Sequence, residues 1–122
     1  MFQWTAKKAN KFNARKIVDG NMTFDSKKEH SRWLELSLLE RAGEISSLQR
    51  QVKFELIPKQ KTSDGKPVRE VSYIADFVYF DKKTGKKVVE DVKGMKIGPV
   101  YNVFVIKRKL MLLKYGIEVK EI

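Results

Sequence analysis

The chain has 122 residues, a formal net charge of +11 and no cysteine, and apolar residues make up 42% of it. This length suits one compact domain, and the apolar share excludes a disordered chain. The lack of cysteine excludes disulfides and thiolate zinc sites and fits a reducing, cytoplasmic setting. No apolar run reaches the roughly 20 residues of a membrane helix, and no signal-peptide core follows Met1, so we expect neither a membrane span nor secretion.

The positive charge indicates a polyanionic partner. Lysine and arginine number 26 against 15 acidic residues, and a basic domain gains affinity for nucleic acid by releasing the counterions condensed on its phosphates. A charged surface kept only for solubility is the competing interpretation. A membrane surface is a weaker alternative, because no segment joins an apolar face to a fully basic one.

Residues 1–22 are expected to form a basic N-terminal arm, and residues 23–122 the folded domain. The arm has no clear hydrophobic periodicity, and the stretch from Val18 to Asn21 has the composition of a turn. Its basic side chains are candidate DNA contacts: Lys7, Lys8, Lys11 and Arg15.

The first strong element is a helix over residues 26–42. Ser26 followed three residues later by Glu29 is typical of a capping box at a helix N-terminus. Apolar residues then recur at helical intervals from Trp33 to Ala42, and Gly43 is a typical stop signal.

Three strands, a second helix and a last strand are predicted next. Runs of β-branched and aromatic residues predict the strands, and the turn at Thr84 and Gly85 predicts that the second and third strands pair antiparallel. Gly116 closes the second helix. The expected bounds are residues 52–57, 68–80 and 86–93 for the three strands, 103–114 for the helix and 117–122 for the last strand.

Two acidic residues on the paired strands point to chemistry. Asp76 lies in the middle of an apolar strand, where a carboxylate needs a metal or a cation as partner. Asp91 and Lys93 share one face of the next strand by the period of two, and the hairpin brings Asp91 beside Asp76. Paired carboxylates suit Mg²⁺ or Mn²⁺. A surface salt bridge between Asp91 and Lys93 is the competing interpretation.

The adjacent acids Glu90 and Asp91 leave one alternative open. In a regular strand Glu90 points away from Asp91 and Lys93, together with Val88 and Val92. A bulge would instead turn Glu90 toward the pocket. We favour Asp91 as the residue that faces the pocket.

These segments resemble the PD-(D/E)XK nuclease superfamily. Its motif is an acid on the second core strand followed by (Asp or Glu)-Xaa-Lys on the third, and often a Glu on the first helix. More narrowly, the strings Phe-Asp-Ser-Lys-Lys-Glu (24–29), Gln-Val-Lys-Phe (51–54), Tyr-Ile-Ala-Asp-Phe (73–77) and Asp-Val-Lys-Gly (91–94) look like a family of small phage and prophage endonucleases similar to Holliday junction resolvases. The likeness runs from about Phe24 to the C-terminus, and it departs from the superfamily name at Ala75, where proline is common.

The resemblance implies a fold and a set of roles. The fold is α/β, a restriction-endonuclease-like core of helix, three-stranded meander, helix and strand with a central mixed sheet. Asp76 and Asp91 would hold the metal, helped by the Val92 carbonyl. Lys93 would position the attacking water. Glu29 would complete the acidic cluster, although the capping box alone also explains a glutamate there.

The resemblance further implies a homodimer that cuts branched DNA in phage DNA processing, in the host cytoplasm, with no small-molecule cofactor. Gln51 and Tyr73 are possible accessory residues that orient water or phosphate, and packing at the strand ends explains them equally well. The basic residues around the second helix are candidate contacts to the DNA backbone: Lys96, Lys107, Arg108 and Lys109.

Two other functions remain open from the sequence. The chain could be a basic module that binds DNA without cutting it, or a nicking subunit that needs a partner protein for targeting. The acidic pair argues against the first, because carboxylates near a phosphate groove repel DNA unless a cation lies between them.

Overall fold

A computed structural model describes residues 16–122 of the chain. Within this range the chain forms two helices, a four-stranded sheet and two small two-stranded ladders. The helices are α1 (Lys27–Arg41) and α2 (Pro99–Tyr115). The strands are β1 (Ile17–Asp19), β2 (Met22–Phe24), β3 (Ile45–Ile57), β4 (Gln60–Lys61), β5 (Pro67–Val68), β6 (Val71–Asp81), β7 (Lys86–Asp91) and β8 (Lys120–Glu121).

The central sheet is mixed, with the strand order β3-β6-β7-β8. The β3–β6 and β6–β7 pairs are antiparallel, and β8 lies parallel to β7. The predicted order of helix, three strands, helix and strand is confirmed, and so is an α/β fold around a mixed sheet. Neither helix in residues 16–122 is both long and apolar enough to span a lipid bilayer.

Local signals explain where the helices begin and end. The Ser26 hydroxyl accepts a hydrogen bond from the Glu29 amide at 3.1 Å, which caps the N-terminus of α1. Pro99 opens α2, where its missing N–H costs nothing. Gly116 ends α2 in the left-handed conformation, with φ of 67°.

Each helix covers one face of the sheet. Leu36 of α1 packs with Ile45, Phe77 and Tyr79 on the first face. Phe104 and Met111 of α2 pack on the second face, in the larger core cluster that also includes Phe54, Leu56, Tyr73, Ala75, Val78, Val89 and Val119. The sheet therefore separates two core clusters, one under each helix.

Several predicted bounds were wrong. The expected boundary at residue 22 cuts through β2, because residues 17–24 form an antiparallel hairpin. β3 begins at Ile45 and not at residue 52, β7 ends at Asp91 and not at residue 93, and α2 begins four residues earlier than expected. The second strand of the sheet begins at Val71 and not at residue 68, because Val68 belongs to the small β4–β5 ladder. The basic arm residues Lys7, Lys8, Lys11 and Arg15 lie outside the described residues.

Candidate active site

Asp76 lies at a break in the side-chain alternation of β6. On either side of it, side chains two residues apart lie on opposite faces of the sheet. On β6, Tyr73 and Ala75 belong to the α2 cluster, whereas Phe77 and Tyr79 belong to the α1 cluster. This side-chain alternation breaks at Asp76. The pairing of β3 with β6 continues on both sides, from Val52–Ala75 to Arg50–Phe77, but omits the residue between them on each strand.

The residue opposite Asp76 is Gln51, and its backbone has φ of 53°. A residue other than glycine in this left-handed region is strained, and such strain is common at functional sites. The Gln51 amide nitrogen donates long hydrogen bonds to Asp76 Oδ1 at 3.3 Å and to Glu29 Oε2 at 3.4 Å. The local break therefore directs Asp76 out of both cores and toward α1.

Asp91 and Lys93 lie at the end of β7, beside Asp76. The Asp91 carboxylate is buried, accepts a hydrogen bond from the Tyr73 hydroxyl at 2.9 Å, and lies 2.6 Å from Lys93 Nζ. Lys93 Nζ is also 3.8 Å from the centre of the Phe104 ring. The backbone amide of Val92 donates to Asp76 Oδ2 at 2.8 Å, which ties the two strands together at the site.

Glu29 reaches the same place from the first turn of α1. It is buried, and its Oε2 lies 3.5 Å from Nη2 of Arg50. The Ser26 hydroxyl accepts from the Glu29 amide as the capping box predicts, while the Glu29 carboxylate is directed at Arg50 and Gln51. The competing explanation that capping alone accounts for Glu29 does not explain this orientation.

These side chains line one cavity of about 370 Å³, which we call the acidic pocket. Its lining includes Glu29, Asp76, Asp91, Val92 and Lys93. The sequence-predicted residues are thus brought together from α1, β6 and β7. Among residues 16–122, however, no three side chains of His, Cys, Asp or Glu form a ready-made metal-binding group.

The acids of the pocket perturb one another. Burial, with a smaller contribution from the neighbouring Asp91 and Glu29 carboxylates, raises the pKa of Asp76 to about 7, against the lowering effect of the Val92 amide. Burial also raises the pKa of Glu29, which Asp25 raises further and Arg50 lowers. Burial and the adjacent Asp91 raise the pKa of Tyr73, so its hydroxyl stays protonated as a donor. A cation bound between closely spaced carboxylates stabilises their ionised forms.

Glu90 points to the opposite face of the sheet. The β6–β7 pairing is regular from Phe77–Glu90 to Asp81–Lys86, so β7 contains no bulge over these residues. The Glu90 carboxylate is 0% exposed, and it accepts two hydrogen bonds from Arg32 at 2.8 and 2.6 Å and one from the Tyr79 hydroxyl. Its charge is therefore already compensated away from the pocket.

Sequence reasoning missed two basic residues, Lys28 in the lining of the pocket and Arg50 beside its Glu29. Arg50 lies 3.5 Å from Glu29, donates to the Thr23 carbonyl at 2.9 Å and stacks 4.0 Å over the Phe24 ring. Lys28 lines the pocket and donates to the Lys93 carbonyl at 3.0 Å. Arg50 could have been found in the sequence because it is adjacent to Gln51, a predicted accessory residue. Nothing in the sequence distinguishes Lys28 from its neighbour Lys27.

The basic residues near α2 have different surroundings. Lys96 and Lys109 are exposed, and Lys96 Nζ lies 3.9 Å from Glu121. Arg108 pairs with the same Glu121 carboxylate, so its charge is partly compensated within the chain. Lys107 lines a second cavity next to the acidic pocket.

The donor set of the acidic pocket fits a hard divalent cation. Oδ2 of Asp91 is buried and forms an ion pair with Lys93 Nζ at 2.6 Å, without a hydrogen bond of favourable geometry. Asp76 Oδ1 has only a long bond from Gln51. Mg²⁺ is commonly held by one or two carboxylates and completes its shell with water and substrate oxygens, so it does not need three protein acids.

Comparison with protein families identifies the group to which the chain belongs. Residues 9–121 match the family described as "Protein of unknown function (DUF1064)", and the chain is a member of that family. No curated protein and no solved structure matches the chain.

Proposed function

We propose that this protein is a Mg²⁺-dependent endodeoxyribonuclease with a PD-(D/E)XK arrangement of its active site. The observation that carries the proposal is the meeting of Asp76, Asp91 and Lys93 in one pocket, with Glu29 entering from α1. These are the positions of the superfamily motif, and they meet beside the middle of β6 and the end of β7, in a mixed sheet flanked by two helices.

Phosphodiester hydrolysis assigns a task to each residue of the pocket. Asp76 and Asp91 would hold the metal, with Glu29 completing the acidic cluster, and the bound ion would neutralise charge on the phosphate. Lys93 orients the attacking water and stabilises the negative charge that develops as the new oxygen–phosphorus bond forms and the bond to the leaving oxygen breaks. The Tyr73 hydroxyl and the Val92 amide hold the two aspartates in place.

DNA is the proposed substrate because of the charge balance. The net charge of +11 attracts a polyanion, while the acidic pocket would repel a phosphate without a cation. The resemblance to Holliday junction resolvases is the reason for proposing branched DNA as the substrate and a homodimer as the active form. Paired cuts across a junction need two pockets related by a twofold axis.

A basic DNA-binding module without catalysis is the second candidate, and the net charge favours it. A charge of +11 alone suffices for salt-dependent binding. This candidate predicts DNA binding that is indifferent to Mg²⁺ and no change in the DNA itself.

Incubation with defined substrates tests the proposal. The protein is mixed with a synthetic four-way junction or a linear duplex of matching sequence, in Mg²⁺ or in EDTA, and the products are resolved on a denaturing gel. We expect cleavage only in Mg²⁺ and preferentially of the junction. Equal cutting of both substrates would remove the junction preference, and no cutting of either would remove the nuclease.

A further inference from the structure

A second cavity adjoins the acidic pocket and is built differently. It measures about 440 Å³, which lies within the roughly 300–1,000 Å³ usual for ligand pockets. We call it the side groove, and its distinguishing residues are Tyr73, Ile74, Val100, Val103, Phe104 and Lys107. Asp91 and Lys93 line both the side groove and the acidic pocket, so the two cavities meet at these residues.

The side groove combines aromatic rings with half-exposed aliphatic walls. The Tyr73 and Phe104 rings are buried, with centroids 6.1 Å apart. Ile74 on β6 and Val103 on α2 are 54% and 52% exposed. Because both rings are almost fully covered, the surface open to a ligand is mainly the aliphatic wall, and an apolar ligand that packs there displaces water favourably.

Two cations lie among these apolar walls. Lys93 Nζ is 3.8 Å from the centre of the Phe104 ring, and Lys107 lines the groove one turn further along α2. A ligand that fits must present an apolar surface to these walls and carry negative charge at its edge. A nucleobase attached to its phosphate has this combination, whereas an apolar peptide segment brings no negative charge to Lys107.

We infer that the side groove receives an unpaired nucleobase next to the phosphate that lies in the acidic pocket. A base within a duplex has both faces stacked, so only a base that has left the helix presents its rings to such a surface. This inference rests on the proposed function, because it takes the acidic pocket as the place of the phosphate. It adds to the proposed branched substrate a nucleotide that is unpaired at the cutting point when the DNA is bound.

Fluorescence of 2-aminopurine tests the inference without cleavage. The full chain is titrated in Ca²⁺ in place of Mg²⁺, so that a cation lies between the carboxylates and the phosphate, against a duplex that carries 2-aminopurine as a single unpaired nucleotide, and against the same duplex with this base paired. We expect tighter binding to the unpaired probe by on the order of tenfold, the size of one stacked base, together with a change in its emission.

Paired variants locate the effect. In Ile74→Ser/Val103→Ser we expect the preference for the unpaired probe to disappear while binding to the paired duplex is retained, because both side chains are exposed and their loss leaves the core intact. Leu38→Ser is the matched control, since Leu38 is an exposed helical residue (60%) outside the groove. A thermal melt of each variant verifies folding.

The outcomes separate this inference from the nuclease proposal. Cleavage in Mg²⁺ with no preference for the unpaired probe, or with a preference that the double variant keeps, would overturn the side groove and leave the nuclease. Preferential binding that the double variant loses, without any cleavage in Mg²⁺, would support the groove and overturn the nuclease.

Discussion

Glu90 and Asp91 are adjacent on β7, yet their carboxylates belong to different parts of the protein. Glu90 is held by Arg32 of α1 on one face of the sheet, and Asp91 is held by Tyr73 and Lys93 on the other. The first pairing joins β7 to the helix that carries Glu29. The second places a carboxylate in the acidic pocket.

The pairing of Arg32 with Glu90 should be costly to break. In Arg32→Met the fully buried Glu90 carboxylate loses its counter-charge, and a buried pair broken on one side typically costs about 3–5 kcal/mol. Arg32→Met/Glu90→Gln removes both charges and should recover a large part of this loss. Denaturant unfolding measures the free energies. Lys53→Met, which breaks the exposed pair with Glu70, is the control and should change little; equal losses in both single variants would contradict the assignment.

The raised pKa of Asp76 predicts a pH-dependent stability in the metal-free protein. Burial raises this pKa to about 7, whereas an unfolded aspartate titrates near about 3.9. Below about pH 3.9 Asp76 is protonated in both the folded and the unfolded state, so it does not reduce the free energy of unfolding. Between about pH 3.9 and 7 the unfolded state ionises first, and the free energy of unfolding falls as the pH rises.

Comparison with Asp76→Asn isolates this effect. In EDTA the variant should match the wild type near pH 4 and exceed it above pH 7, by at most about 4 kcal/mol at roughly 1.4 kcal/mol per pKa unit. Guanidinium unfolding across this pH range gives the difference, and Mg²⁺ should reduce it at pH 8. A difference that is independent of pH would mean that Asp76 titrates normally.

The conformation of Gln51 should lower the stability of the protein while its side chain supports activity. Gln51→Gly relieves a left-handed backbone that costs about 1–3 kcal/mol, while the extra chain entropy of glycine offsets about 0.5–1 kcal/mol. We expect a net gain of about 1 kcal/mol with reduced DNA cleavage, because the bonds to Asp76 and Glu29 are lost. Ser47→Gly is the matched control, since Ser47 also has a positive φ, of 56°, and makes none of the bonds to these acids. A loss of activity in both variants would argue against a role for the Gln51 side chain.

The Tyr73 hydroxyl should support metal binding by holding the Asp91 carboxylate in place. Tyr73→Phe removes one hydrogen bond to this buried carboxylate without changing the ring, and loss of a bond that orients a ligand typically costs about 10–100-fold in metal affinity or activity. Titration of cleavage against Mg²⁺ should show a higher metal requirement. Tyr115→Phe removes a hydroxyl bonded to the Glu55 carbonyl and should leave this requirement unchanged. An unchanged requirement in Tyr73→Phe would exclude the positioning role.

Local chemistry made much of the fold predictable. Ser26 and Gly116 mark helix ends by mechanisms that act within a few residues, and they were read correctly. The first half of β3 was missed because its sequence, Ile-Ser-Ser-Leu-Gln-Arg-Gln, has weak strand preference. It is a strand because β6 pairs with it.

The acidic pocket was predictable only in part. The β6–β7 hairpin and the alternation of side chains along a strand predict that Asp76 and Asp91 lie together, and both line the acidic pocket. Both rules act over a short stretch of sequence. The face change at Gln51 was not predictable, because glutamine carries no signal for a positive φ. Arg32 and Glu90 are 58 residues apart in sequence, so their pairing depends on how α1 lies on the sheet, which no local pattern encodes.

Cleavage and binding measured in parallel for Asp76→Asn test the central claim most directly. The variant keeps the shape of the side chain and its bond from the Val92 amide, but it loses the charge that would hold a metal. With a four-way junction in Mg²⁺, we expect wild-type binding and cleavage reduced by on the order of 10²-fold or more, while Asp64→Asn in the exposed loop cuts normally. A folded Asp76→Asn protein that cuts the junction at the wild-type rate would contradict the account.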